Sequence, residues 1–237
     1  MKISNLEKTF GGFSLRIGGI HLTPGRIYGL IGPNGCGKTT AIRLMAGLLE
    51  PDAGEIDREG LTRRDITMIP RKPYFLQASV YRNLTYPLTL RGMKPDRELL
   101  EHYLEMAGLK DRHKQYALNL SAGEQQKLSI IRAVAFSPKL ILMDEAFSNL
   151  DMESTVLFER LILERQAKEP ATYMISSHQL SHIQRLCGHV FFMRSGRIEA
   201  EGPACEILLR PQNPRLQKYL RYASLNESEA GYGIPEG

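Results

Sequence analysis

The sequence predicts an α/β protein built around a parallel sheet, and three observations carry that expectation. Residues 26–31 form a mostly apolar run that enters a glycine-rich turn, and the segment behind the turn has helical periodicity. A second apolar run, Leu140 to Met143, ends in two acidic residues, as a buried strand does where it meets solvent. Strands and helices alternate through most of the chain. Right-handed crossovers then collect the loops at the carboxyl ends of the strands, where sheets of this kind bind ligands.

Taken in order, residues 3–22 read as β structure with turns at Gly11-Gly12 and Gly18-Gly19, followed by a buried strand at 26–31. A helix then carries Ile42, Met45, Ala46 and Leu49 on one face, and turn chemistry at residues 51–54 ends it. Residues 65–70 read as a strand. Residues 93–116 read as a helix, with Leu99, Leu100, Tyr103, Leu104 and Met106 as its apolar positions. A second helix spans residues 122–136 and stops before Pro138. After the apolar run at 140–143 come a helix at 153–168, a strand at 172–176 and a hairpin at 194–197. Residues 226–237 are polar and glycine-rich, the composition of a disordered tail. No internal repeat is present. The expected organisation is one domain over residues 1–225, with a helical subdomain at about 75–138.

Composition narrows the partners. A chain of 237 residues, 42% hydrophobic, can bury one substantial core, or one core and a smaller lobe. A net charge of +5 suits an anionic ligand or an anionic membrane surface. No Lys/Arg run marks a nucleic-acid face, so no nucleic acid is expected as partner. Cys36, Cys187 and Cys205 make neither a disulfide framework nor metal-ligand spacing, which points to a reducing compartment. The first ten residues lack an apolar signal core, and no stretch approaches the roughly 18 apolar residues of a membrane span. Any membrane role is expected to come through a partner.

Gly32-Pro33-Asn34-Gly35-Cys36-Gly37-Lys38-Thr39 fits G-x-x-x-x-G-K-[ST] in full, after a strand and before a helix. Glycines let successive N–H groups turn toward a phosphate chain, and the helix start adds its positive end. Lys38 is placed to neutralise the β- and γ-phosphates, and the Thr39 hydroxyl can ligate Mg²⁺. Thr40 follows in the same first turn and is counted with the loop. Cys36, among loop amides and beside Lys38, is expected to favour the thiolate. Its alkylation is then expected to block nucleotide binding. The motif binds nucleotide without choosing between kinase, GTPase and ATPase.

Leu120-Ser121-Ala122-Gly123-Glu124-Gln125-Gln126 reads first as a capping box, with Ser121 at the N-cap and Glu124 at N3. By itself that describes a well-capped helix and no more. Gly123, however, leaves the first turn open to close approach, and an apolar strand ending in Asp144-Glu145 follows. With the phosphate loop, these segments resemble the ABC (ATP-binding cassette) ATPase family. The segment at 120–124 is similar to that family's LSGGQ signature, with Ala122 and Glu124 as departures. The resemblance implies that Ser121, Ala122 and Gly123 cap the γ-phosphate of ATP held by an opposite subunit. It implies that Asp144 holds the Mg²⁺ shell and that Glu145 is the general base or polarises the attacking water. Ala146 stands where the family commonly has proline. Ser148 to Asp151 resembles the D-loop, His178 the switch histidine that contacts the γ-phosphate, and Phe10 the aromatic that stacks on adenine. His113, His182 and His189 have no such placement. The resemblance covers about residues 1–202.

Arg71 departs from the family, whose glutamine at this point touches Mg²⁺ and opens the segment that meets the transporter. A guanidinium has five donors and no acceptor, so it cannot be a metal ligand. It is expected to swing toward Asp144, Glu145, a phosphate oxygen or the partner chain. The implied protein is an ATP- and Mg²⁺-using ATPase that powers a membrane transporter by dimerising, as a homodimer or with a paired cassette. Its partner would be a membrane-embedded permease contacted through about residues 73–92, and its place the cytoplasmic face of the membrane. The wording at 78–83 has a slight likeness to tungstate/molybdate importers, too slight to name a cargo. A non-transport cassette acting in translation or DNA repair is the alternative. Neither a coiled coil between Lys38 and Asp144 nor a second cassette supports it, and a small-molecule kinase leaves the signature helix without a purpose.

Overall fold

The computed structural model describes residues 1–230. In chain order the elements are β1 (Lys2–Phe10), β2 (Phe13–His21), β3 (Ile27–Ile31), α1 (Lys38–Met45), β4 (Ala53–Asp57) and β5 (Ile66–Ile69). There follow α2 (Val80–Leu90), α3 (Arg97–Met106), α4 (Ala122–Val134), β6 (Leu140–Asp144), α5 (Met152–Lys168) and β7 (Thr172–Ser176). The last are α6 (Leu180–Leu186), β8 (His189–Arg194), β9 (Arg197–Pro203), α7 (Ala204–Leu209) and α8 (Pro214–Ala230). The chain divides into two compact units: Met1–Glu59 together with the chain from Thr172, and Gly60–Ala171.

The first unit holds an antiparallel sheet ordered β2-β1-β4, and strands β7, β3, β8 and β9 of a second, mainly parallel sheet. All five residues of β3 are buried, as a central strand covered on both faces requires. Within it Gly29 stands beside Ile175 and Val190, and a Cβ there would lie 2.8 Å from the Ile183 side chain of α6. Gly29 is therefore set by helix–strand packing. The β1–β2 hairpin turns at Gly11-Gly12, as expected. Gly18-Gly19 is no turn: both lie inside β2 and Gly19 pairs with Ser4, because the ladder to β1 keeps one register through to His21.

Ala53-Gly54, read from sequence as turn chemistry, begins strand β4, which pairs with β1 from Ala53 opposite Glu7 to Asp57 opposite Lys2. Helix α8 runs to Ala230, so residues 226–230 are helical where the sequence suggested a tail. The expectation of disorder at 231–237 lies outside the described residues.

In the second unit β5 and β6 pair in parallel, with Ile66 opposite Leu140 and Ile69 opposite Met143. The single helix expected over 93–116 is not present. Helix α3 starts where the Asp96 carboxylate accepts the Leu99 amide at 3.1 Å, and ends before Gly108, whose φ of 70° is left-handed. A short 3₁₀ turn, Lys110–Arg112, follows within the span, and a second, Ala117–Asn119, lies just beyond it. Helix α2 was not foreseen, since Pro87 sits inside it. Ser79 caps its start by accepting the Arg82 amide at 3.1 Å, and the buried Asn83 side chain donates to the Leu76, Ala78 and Ser79 carbonyls. Buried Val80, Leu84 and Leu88 supply the packing that outweighs the proline.

A candidate nucleotide site

In the first unit the loop between β3 and α1 takes a conformation that glycine permits. Gly32, Gly35 and Gly37 have φ of 151°, 75° and 112°. A Cβ on Gly32 would lie 2.0 Å from the Met193 carbonyl oxygen, and one on Gly37 would lie 3.0 Å from the Phe13 ring. Pro33, Asn34 and Gly35 are exposed, as are Thr39 and, in part, Thr40. Lys38 is nearly buried, and its ammonium donates to the Gly32 oxygen at 2.7 Å and the Pro33 oxygen at 3.2 Å. A cation is thus fixed on a glycine-rich loop at the start of helix α1, the arrangement that suits a phosphate chain.

His178 is exposed just past the end of β7, and Phe10 is 45% exposed at the hairpin tip, opposite Phe13 and with the Lys8 ammonium 5.7 Å from its ring centre. Phe10 is therefore not a core aromatic. His182 is buried, bonded to Gln179 and, at 3.2 Å, to Arg185. His189 packs against Tyr28 and Phe191.

The expectation for Cys36 is corrected. The side chain is 3% exposed, and burial pushes its thiol above the ordinary range. The Lys38 charge and loop amides pull the other way but are outweighed. The thiol form, not the thiolate, then predominates at pH 8. At that pH iodoacetamide should label Cys36 at least about 10-fold more slowly than exposed Cys205, because only thiolate reacts. Peptide mass spectrometry over a time course checks this; Cys36 labelled first would contradict it.

In the second unit β6 delivers Asp144 and Glu145, both nearly buried. Glu145 has a φ of 49°. For a residue other than glycine such a backbone costs about 1–3 kcal/mol and gathers at functional positions. Arg71 lies beside it, with Nε 3.2 Å from Glu145 Oε2. Of the four destinations that the sequence left open for Arg71, this is the one adopted.

Helix α4 starts with the expected capping box. Ser121 Oγ accepts the Glu124 amide at 3.3 Å, and the Glu124 carboxylate accepts the Ser121 amide at 2.9 Å. The Ser121 amide, first among several causes, holds the Glu124 carboxyl below its usual range. Ser121 and Ala122 are exposed. A Cβ on Gly123 would lie 3.1 Å from the Asn149 carbonyl, so this glycine also makes room for the D-loop-like segment. Asp151 there caps α5 by accepting the Ser154 amide at 2.7 Å.

Sequence reasoning missed Arg132. From α4 it donates to the Tyr74 carbonyl at 2.9 Å and lies 4.7 Å from the Phe75 ring centre. Burial pushes it down to about 10, still charged at neutral pH. It fastens the signature helix to the segment after Arg71. Its only local signal is an arginine between Leu128 and Phe136, its i−4 and i+4 neighbours.

The sequence matches the ABC transporter family over residues 18–148. It is 35% identical over 212 residues to the tungstate uptake system ATP-binding protein TupC of Peptoclostridium acidaminophilum, covering 84% of this chain and 97% of that protein. It is 32% identical over 232 residues to the methionine import ATP-binding protein MetN 1 of Listeria monocytogenes, covering 92% of this chain and 67% of that one. A solved ATP-binding subunit of an ABC transporter superposes with a TM-score of 0.80 at 27% identity, over 97% of this chain and 98% of that chain. A dimeric ATP-binding cassette bound to ADP and Pi shares the fold, with a TM-score of 0.75 at 23% identity, over 86% of this chain and 98% of that one. Transporter subunits thus recur, and the translation and repair readings gain no support. The phosphate loop, capping-box helix and acidic strand end are parts of one known design: the chain belongs to the ABC transporter family, as one of its ATP-binding, ATP-hydrolysing cassettes.

Proposed function

We propose that this cassette is the motor of a membrane importer, working in pairs that close on ATP and reopen after hydrolysis. The observation that carries the reading is the phosphate loop, with three glycines at positive φ and the ammonium of Lys38 anchored on the Gly32 and Pro33 oxygens. Import is supported by relatives named for tungstate uptake and methionine import. In this reading the cassette does not touch cargo, so these names support the direction of transport and not a substrate.

Lys38 and the loop amides hold the β- and γ-phosphates, with Gly32 through Thr40 lining the chain. Phe10 offers an exposed ring face to adenine. Glu145 accepts the proton of the attacking water, and His178 contacts the γ-phosphate. Thr39 and Asp144 are hard oxygen donors that fit Mg²⁺, which is commonly held by one or two protein oxygens together with phosphate. Among the described residues no cluster of three His, Cys, Asp or Glu side chains competes for that role. When bound, Mg²⁺ neutralises phosphate charge. Ser121, Ala122 and Gly123 face the ATP of the paired cassette.

No described helix is long and apolar enough to cross a membrane, and relatives named as ATP-binding subunits of uptake and import systems support a permease as the partner that forms the path. In this reading the segment at 73–92 meets it at the cytoplasmic face, and the exposure of Tyr74, Leu76 and Leu90 supports that. Light scattering of the purified 26.8 kDa chain should show a mass near twice that value once Mg²⁺ and a non-hydrolysable ATP analogue are added. The variant Ser121→Arg should bind the analogue and stay monomeric, since the bulk and charge fall at the helix start. A parent chain that stays monomeric while saturated with analogue sinks the paired-cassette reading.

A further inference from the structure

We infer that Arg71 is a positioning residue that holds Glu145 off its water until the segment carrying Arg71 is moved. The inference rests on the reading of Glu145 as the residue that activates water. Three observations carry it.

The first is register. Ile69 pairs with Met143 in the parallel β5–β6 ladder, and Arg71 and Glu145 each lie two residues beyond that pair. The sheet itself therefore delivers the two charges to the same edge. The second is asymmetry. Arg71 keeps 66% of its side chain exposed, whereas Glu145 keeps 8%. A nearly buried carboxylate gains from a counter-charge, while an exposed guanidinium loses little water by supplying it. The contact is made through Nε at 3.2 Å, so it can be released by moving the exposed partner alone.

The third is backbone. With φ at 49°, Glu145 is held in a left-handed conformation, which leaves the aim of its carboxylate to its side-chain torsions and its partners. A carboxylate oxygen paired with a guanidinium charge is a poorer acceptor for a water proton. Arg71 also opens the segment leading through Tyr74 and Phe75, which Arg132 ties to the signature helix. A pull on that segment therefore reaches Arg71 within two or three residues, and the ion pair is the element it would break.

The experiment compares kcat and KM for Mg-ATP in purified full-length parent, R71Q, R71K and E145Q. Loss of the pair in R71Q should raise kcat about fivefold with KM within about twofold. That fold-change equals about 1 kcal/mol at 1.36 kcal/mol per tenfold, the upper range for an ion pair with one exposed member. R71K should fall between parent and R71Q, since an ammonium keeps the charge without the planar fork. In an E145Q background R71Q should change nothing. A purely structural role for Arg71 would lower melting temperature and kcat together and could not raise kcat. An unchanged or reduced kcat in R71Q, with E145Q inactive, overturns the inference alone. E145Q hydrolysing at the parental rate overturns the role of Glu145, and this inference with it.

Discussion

Replacing Glu145 by glutamine is expected to lower kcat by about 10²- to 10⁴-fold, the range contributed by a positioned proton acceptor, while ATP affinity stays within a few-fold. Glutamine has nearly the volume of glutamate, so the buried position beyond β6 keeps its packing and its left-handed backbone. Its amide oxygen still accepts hydrogen bonds but cannot take a proton from water at neutral pH. The substitution also removes the anion facing Arg71. Because Arg71 is mostly exposed, water can satisfy its guanidinium, and the penalty for an unpaired buried charge is avoided. In the proposed reading phosphate binding rests on Lys38 and the glycine amides, which the change leaves alone. Single-turnover phosphate release, set beside equilibrium binding of a fluorescent ATP analogue, separates the two effects. Hydrolysis at the parental rate would remove Glu145 from the mechanism, and loss of binding would show that its role is structural.

What the sequence revealed and what it hid divide along a physical line. Elements specified by contiguous residues were legible: the phosphate loop, the capping box at Ser121 and Glu124, and the buried β6 run each carry their signal in one short stretch. Elements decided by distant packing were not. Helix α2 forms around Pro87 because buried Val80, Leu84 and Leu88 outweigh the local penalty. Gly18-Gly19 looks like a turn until β1 pairs with it across the whole hairpin. Cys36 shows the same division in electrostatics. Neighbouring amides and Lys38 predict a low-pKa thiol, but burial is a property of the folded unit and outweighs them. The sequence could exclude Arg71 as a metal ligand from its donor inventory. Only the β5–β6 register could choose Glu145 as its partner.

The second large effect is expected from Lys38→Ala, which should weaken ATP binding by about 100-fold or more. A hydrogen bond to a charged group contributes about 1.5–3 kcal/mol, and the ammonium, with one of its three donors unused by the loop and the longer 3.2 Å contact to the Pro33 oxygen released, can make two to the phosphates. At about 1.4 kcal/mol per tenfold, two such bonds account for that loss. Lys38 is 5% exposed, so its charge acts in a site where water screens it little. The ammonium also braces the loop through the Gly32 and Pro33 oxygens, and its removal frees both acceptors. At about 1 kcal/mol for each neutral acceptor lost, the variant should melt a few degrees below the parent. Melting therefore has to be separated from binding, and the shift produced by ligand does so. Saturating Mg-ATP should raise the parent's melting temperature, because a ligand that binds only the folded state stabilises it by mass action. The Lys38→Ala chain should show almost no such rise at the same ATP concentration, although it starts folded. If collapse of the braced loop were the cause, Gly37→Ala should mimic the variant, since its Cβ would crowd the Phe13 ring in a left-handed position while Lys38 stays in place. If charge is the cause, Gly37→Ala should keep a measurable ATP-dependent rise even where its starting temperature is lower. An undiminished ATP shift in Lys38→Ala would show that the glycine amides alone hold the nucleotide.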